Sequence, residues 1–348
     1  MAKSYLGIDI GSDMLKLAYV KDGNVRKTVS VPMPVNLLRE GRITSTDAMG
    51  ELIEGALKEN RMNAARAAAT IPGDVCYLRN AQMPRMSAEQ LTYNIPYEFS
   101  DYLTGEVKDY LFDYALIPDE EKKTPAGETA PAEGETAAED AGGGEKLSLL
   151  ISAVEVGVME ELRQSARKGG MKLAKAAPAE CAYMALIRDY ESRTGEKDGE
   201  YCFVDLGYRA IRMYMFHGPR HVATRALDVG LSSLTDIIAD AKGVDAHLAH
   251  TYLLTNFEDC QKEDYCRAAY DNFSVELMRA LNFYRFSNPD SQITKCWLCG
   301  GGAGILPLRE LLSESLDVEV HTADELLRDA SQLTDGFAFI QAIGIAMD

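Results

Sequence analysis

The chain has 348 residues, 36 basic against 54 acidic side chains, a net charge of −18 and 46% hydrophobic residues. That length predicts two packed units with real cores, which excludes a disordered chain, a collagen-like fibre and a disulfide-stapled mini-domain. So acidic a surface also argues against a nucleic-acid partner, because phosphate recognition needs an excess of Lys and Arg. No apolar run approaches the roughly 20 residues that span a bilayer, and Met1-Ala2-Lys3 leads into alternating residues rather than a signal peptide. Direct membrane insertion is therefore not expected, and any membrane role comes through a partner. The 7 cysteines are scattered and odd in number, which fits reduced thiols in a cytosol.

In chain order, Leu6-Gly7-Ile8-Asp9-Ile10-Gly11 reads as a strand and a turn, followed by a second strand at Leu15 to Val20. The turn Asp22-Gly23-Asn24 then leads to a third strand, Val25 to Val31. Thr46 to Lys58 carries Met49, Leu52, Ile53, Ala56 and Leu57 on one helical stripe. Ser87-Ala88-Glu89-Gln90 is a capping box that opens a helix, which Pro96 ends or kinks. Strand-like runs at Tyr110 to Leu116 and Leu147 to Val154 flank the segment 119–146. That segment holds 9 acids and 3 lysines with no aromatic or large aliphatic residue, so it is expected to be a disordered hairpin insertion. Residues from about Met83 to Lys172 read helix, strand, loop, strand, helix, a small α+β subdomain.

The opening meander then recurs. Cys202-Phe203-Val204-Asp205-Leu206-Gly207 runs into Ile211 to Phe216, the turn His217-Gly218-Pro219, and His221 to Ala226. Helices are expected at Ser232 to Ala241 and at about Tyr265 to Ser287, where Phe273, Leu277, Leu281 and Tyr284 share a face. Two equivalent meanders, each with an Asp-x-Gly hairpin, suggest duplicated halves facing a common cleft.

Such a turn has a definite chemical use. Gly11 lets backbone approach an anion, and the amides of Gly11, Ser12 and Asp13 can converge on it. Asp9 at the strand end suits Mg²⁺ held through water, and Lys16 suits phosphate charge. Asp205-Leu206-Gly207 supplies the second copy, so two hairpins make a phosphate clamp. The strand–glycine–helix run Leu298 to Leu308 places Gly300, Gly301, Gly302 and Ala303 where a flat ligand or ribose can approach the backbone, with Pro307 in the first helical turn. Ala177-Pro178-Ala179-Glu180 begins a helix of small residues, and Glu180 there could reach a metal-bound water. Two other patterns read as structure. Cys296 and Cys299 lack a second pair and sit at strand spacing, as buried core thiols. His247 and His250 lie one helical turn apart without a metal-ligand set, as a solvated helix.

These segments, in this order, resemble the actin-like ATPase superfamily: phosphate loop one, connecting helix, phosphate loop two and adenosine loop. Within it the chain is similar to the PilM family of type IV pilus assembly proteins. The likeness rests on Gly7-Ile8-Asp9-Ile10-Gly11-Ser12 with Leu15-Lys16-Leu17, Glu40-Gly41-Arg42-Ile43, and Ala69-Thr70-Ile71-Pro72-Gly73 leading to Met83-Pro84. Further stretches are Asn282-Phe283-Tyr284-Arg285-Phe286, Cys299-Gly300-Gly301-Gly302-Ala303 and Ala342-Ile343-Gly344-Ile345-Ala346.

The resemblance implies a duplicated α/β actin-like fold around a nucleotide cleft. The first half is expected at 1–82 plus 173–200, the inserted subdomain at 83–172 and the second half at 201–348. It implies a cytoplasmic scaffold that binds ATP with Mg²⁺ and turns it over slowly at most. Such a scaffold docks the cytoplasmic tail of a PilN-like membrane protein in a groove between the first and inserted subdomains, with Tyr93 to Tyr102 as a candidate wall. It serves pilus motor ATPases indirectly, in a type IV pilus or related type II secretion platform, and self-association is compatible with the family. Residue by residue, Gly11, Ser12, Asp13 and Lys16 would contact phosphates, Asp9 and Asp205 would stand near Mg²⁺, and Glu180 matches the acid of the connecting helix. Gly207 belongs to phosphate loop two, and Gly301, Gly302 and Ala303 would face the nucleoside. Tyr208, Arg209 and Ala210 depart from the small residues usual there: the bulk could crowd the γ-phosphate, or Arg209 could supply charge to it. The alternatives are an FtsA-like polymerising membrane tether and a small-molecule kinase of the same superfamily.

Overall fold

Strands β1 (Ser4–Ile10), β2 (Met14–Lys21) and β3 (Asn24–Pro32) form the first meander, with Asp22 and Gly23 at φ 51° and 73° in its two-residue turn. The structure is a computed structural model and describes residues 4–117, 146–328, 331 and 333–347. The acidic segment 119–146 lies outside the described residues apart from Lys146. A short hairpin, β4 (Leu38–Arg39) and β5 (Arg42–Ile43), precedes α1 (Thr46–Glu59). Ser45 caps this helix by accepting from the Ala48 amide, and Met49, Ile53, Ala56 and Leu57 are buried along its predicted stripe. Strand β6 (Arg66–Ile71) then pairs parallel to β1.

Next comes a separate compact unit, Tyr77–Val156. Its sheet runs β7 (Cys76–Pro84), β9 (Lys146–Glu155), β8 (Tyr110–Ile117) in spatial order. Helix α2 (Ala88–Asn94) opens on the predicted Ser87–Gln90 capping box and gives way to a 3₁₀ turn, Ile95–Phe99, at Pro96. Leu91, Ile95 and Phe99 pack with Leu149, Ile151 and Ala153 as this unit's own core.

The remainder, Met1–Cys76 with Gly157–Asp348, is the larger unit. The inserted unit is therefore displaced from the expected 83–172. Strand β7 belongs to its sheet, whereas α3 (Val156–Lys168) packs in the larger unit, for two reasons. Gly50 of α1 leaves no room for a Cβ beside Lys168, and Glu161 takes both Arg42 Nε (3.0 Å) and the Ile43 amide (3.0 Å). Strand β10 (Lys172–Pro178) completes a sheet of order β10-β6-β1-β2-β3 and feeds α4 (Ala179–Thr194).

The second meander is β11 (Glu200–Leu206), β12 (Ile211–His217) and β13 (Arg220–Leu227). Helices α5 (Leu231–Lys242), α6 (Ala246–Thr255) and α7 (Asp264–Ser287) follow, then β14 (Lys295–Cys299), α8 (Leu306–Ser315) and β15 (Glu319–Thr322). Its sheet order is β13-β12-β11-β14-β15. Each sheet is thus a meander extended on its first strand by two parallel strands, so the duplication read in sequence extends to five strands in each half. Cys202, Cys296 and Cys299 are buried free thiols on the second sheet.

Closing helix α9 (Ile340–Met347) lies against β1 and α4. Two glycines set this approach: a Cβ on Gly7 would strike the Ala342 carbonyl, and one on Gly344 would strike the Ala182 carbonyl. Helix and sheet therefore meet backbone to backbone, which fixes the side chains that α9 presents.

Candidate functional site

Both Asp-x-Gly turns open into one crevice within the larger unit. Asp9, Gly11, Ser12, Asp13 and Lys16 line it with Asp205, Gly207, Tyr208, Arg209 and Arg212. Thr70 to Asp74, Gly301 and Gln341 complete much of the wall around about 960 Å³ of space continuous with solvent.

The turns are built alike. Gly11 donates to the Met14 carbonyl at 3.1 Å, and a Cβ there would lie 2.8 Å from that oxygen. A Cβ on Gly207 would lie 2.6 Å from the Ala210 carbonyl. Both positions need glycine, which keeps backbone rather than side chain at the crevice. The second turn is tied to the start of α5, where the Leu231 and Ser232 amides donate to the Gly207 (3.1 Å) and Tyr208 (2.8 Å) carbonyls. Cross-strand register also repeats: Asp9 is opposite Lys16, and Asp205 is opposite Arg212.

Asp9 Oδ2 is 3.7 Å from Lys16 Nζ, and Thr70 Oγ1 is 3.4 Å from Asp9 Oδ1. Asp205 Oδ2 accepts from Gln341 Nε2 at 2.9 Å, and that amide also reaches the Tyr183 hydroxyl at 3.2 Å. Burial pushes the Asp205 carboxyl above its ordinary range, opposed by the positive charge of Lys16. Among the described residues, no group of three or more His, Cys, Asp or Glu side chains is placed to hold a metal ion. A cation near Asp9 and Asp205 would take most of its ligands from water and phosphate, as Mg²⁺ commonly does.

A family model described as type IV pilus assembly protein PilM matches residues 150–348. The chain belongs to the PilM family. Among solved structures, a PilM–PilN type IV pilus biogenesis complex is similar at 21% identity and TM-score 0.78, covering 98% of this chain and 97% of that one. The ethanolamine utilization protein EutJ from Carboxydothermus hydrogenoformans is similar at 12% identity and TM-score 0.59, covering 99% and 89%. MreB5 of Spiroplasma citri bound to ADP is similar at 9% identity and TM-score 0.50, covering 98% and 94%. These likenesses show the actin-like fold. No curated protein matches the chain.

The glycine run contributes less directly than its sequence suggests. Of Gly300 to Ala303, Gly301 lines the crevice, and a Cβ there would meet nothing within 4 Å, so its bare backbone faces open space. That open cradle fits a flat ligand. Gly300 (φ 81°) is needed for the turn, since a Cβ would strike Asp205, and Gly302 and Ala303 are buried beneath.

Glu180 is not brought into the crevice lining, although its neighbour Ala179 is. Its carboxylate is buried in the first turn of α4 and accepts from Thr224 Oγ1 at 2.7 Å. Burial pushes this carboxyl up, against the Thr224 hydrogen bond. Thr224 in turn lies 2.9 Å from His221 Nε2. The expectation of a solvated helix at His250 is corrected. Its side chain is 16% exposed, Nε2 stands 2.9 Å from Asp13 Oδ1, and its ring meets Tyr208 edge-on at 5.1 Å. Sequence spacing could not find this contact, because Asp13 and His250 meet only through the tertiary fold. Asp74, Arg212 and Gln341 were likewise missed as crevice residues. The alternation on β12 gave Arg212 a face but no partner.

Proposed function

We propose that this chain is a cytoplasmic nucleotide-binding scaffold of a type IV pilus, or related type II secretion, inner-membrane platform. It docks the cytoplasmic N-terminal peptide of a PilN-like membrane protein and reaches the motor ATPases through that platform. The observation that carries the nucleotide part is the convergence of the Gly11 and Gly207 turns on one crevice with the open backbone of Gly301. The amides of Ser12 and Asp13 hold phosphate beside Gly11, whose own amide closes the turn on Met14 and whose missing side chain leaves the backbone bare. Lys16 assists from one half, and Gly207 and Arg209 from the other. Asp9 and Asp205 orient the water shell of Mg²⁺, which when bound screens phosphate charge. Gly301 forms the shelf for the nucleoside, carried by the Gly300 turn and by Gly302 and Ala303 packed beneath it.

Turnover is slow at most in this reading, because Glu180, the acid of the connecting helix, is engaged by Thr224 rather than placed beside the phosphate turns. A general base must come within hydrogen-bond reach of the attacking water. Family membership and the fold shared with the solved PilM–PilN complex support the peptide partner. Three exposed tyrosines, Tyr93, Tyr97 and Tyr102, on the inserted unit are its candidate contacts. Among the described residues no helix is long and apolar enough to cross a membrane; in this reading the PilN-like partner is the anchor. Calorimetric titration of the co-encoded PilN-like peptide, with and without Mg-ATP, tests the proposal. Binding of the peptide supports the docking role, a change of affinity with Mg-ATP links that role to the crevice, and no binding in either state overturns it.

A further inference from the structure

Arg212 occupies in the second half the place that Lys16 occupies in the first. Each stands opposite the aspartate of its Asp-x-Gly turn across the hairpin, and each lines the crevice. The carboxylate opposite does not hold it, since Asp205 is hydrogen-bonded by Gln341 instead. The guanidinium is instead paired through Nη2 with Oδ1 of Asp74. The pair is unequal: the Arg212 side chain is 21% exposed and that of Asp74 48%. A half-exposed carboxylate holds its partner weakly. A phosphoryl group presents more negative charge and several oxygens to the guanidinium fork, which suits bidentate pairing.

Asp74 also has a particular place in the chain. It sits between the end of β6 at Ile71 and Tyr77, the first residue of the inserted unit, on the run Pro72-Gly73-Asp74-Val75-Cys76. Pro72, Gly73 and Asp74 themselves line the crevice. The Arg212–Asp74 pair is therefore a tether between this connector and the second half.

We propose that Arg212 is a phosphate-binding residue that exchanges Asp74 for the terminal phosphate of a nucleoside triphosphate, thereby releasing the connector to the inserted unit. The proposal rests on the nucleotide reading above. It makes Arg212 the group that distinguishes triphosphate from diphosphate, and Asp74 a competitor for its own crevice.

The test is calorimetric titration of Mg-ATP and Mg-ADP into the full chain and the variants R212Q, R212K and D74A, with amide exchange over residues 72–84. Thermal melts verify that each variant is folded, and D74A, at a half-exposed position, tests the exchange without removing the guanidinium. R212Q is expected to weaken Mg-ATP at least tenfold and Mg-ADP much less, with partial recovery in R212K. D74A is expected to bind Mg-ATP several-fold more tightly. Mg-ATP, but not Mg-ADP, should speed exchange over residues 72–84 in the wild type. If both nucleotides bind the wild type and R212Q weakens them equally or not at all, or D74A changes nothing, the exchange is overturned while nucleotide binding stands. A wild type that binds neither nucleotide overturns the nucleotide reading and the exchange with it.

Discussion

Asp205 faces Arg212 across β11 and β12 in the register in which Asp9 faces Lys16 across β1 and β2. Each half thus delivers one such carboxylate–cation pair to the same crevice, where Asp13, Asp74 and Arg209 also stand. The balance suits a ligand that is itself polyanionic and carries a divalent cation. In the proposed reading the carboxylates would orient a hydrated metal and the cations would meet the phosphates.

Lys16 is the cation of the first pair, with Nζ 3.7 Å from Asp9. Lys16→Ala should weaken Mg-ATP by roughly 10- to 100-fold, the scale of a lost charge-assisted hydrogen bond of about 1.5–3 kcal/mol. The fold should survive, because the side chain packs in no core cluster. Titration calorimetry beside a thermal melt reads both.

His250 joins the two phosphate turns by standing beside Asp13 and against Tyr208. His250→Ala should loosen the first turn without unfolding the protein. Amide exchange over residues 11–14 should rise several-fold, and rates in α1 should stay unchanged. Equal rates at the turn would mean that the Asp13–His250 approach holds nothing.

Helix α9 delivers Gln341 to Asp205 only because Gly344 lets it lie on the Ala182 carbonyl. Gly344→Ala puts a methyl where backbone already stands, so the helix must shift. The expected cost is about 1–3 kcal/mol of stability, with weaker nucleotide binding as Gln341 moves. Denaturant melts supply the first number and titration the second.

Burial pushes the His221 imidazole down from an ordinary 6.5 to about 4, so the folded protein keeps it neutral where the unfolded chain would protonate it. Its contribution to stability is present above pH 6.5 and is lost as pH falls toward 4, by about 3 kcal/mol in full. Glu180 acts oppositely. Its folded-state carboxyl titrates above its ordinary 4.5, so stability falls as pH rises from 4.5 through the raised value. His221→Gln should therefore narrow the stability difference between pH 7 and pH 4.5, and Glu180→Gln should gain stability mainly at neutral pH. Paired melts at the two pH values separate the two signs.

How much of this was legible beforehand follows from the range of each interaction. Strand alternation and the turns at Asp22-Gly23 and Gly218 are local, so both meanders could be read, and the likeness of the two Asp-x-Gly copies pointed to a shared crevice. The small unit's edges could not be read from composition. Whether α3 belongs to it is decided by Glu161 meeting Arg42, across 119 residues of chain. The same holds for Asp13 with His250, Asp74 with Arg212 and Asp205 with Gln341, three pairings that shape the crevice and have no signature in spacing. Glu180 shows the converse. A residue type and position that suited chemistry are occupied by a buried hydrogen bond to a threonine on β13.

Amide hydrogen exchange of the whole chain with and without Mg-ATP asks whether one ligand engages both turns at once. Protection is expected together at residues 9–16, 205–209 and 300–303. Absence of protection at these turns, or protection confined to one of them, would contradict a single nucleotide held between the two halves.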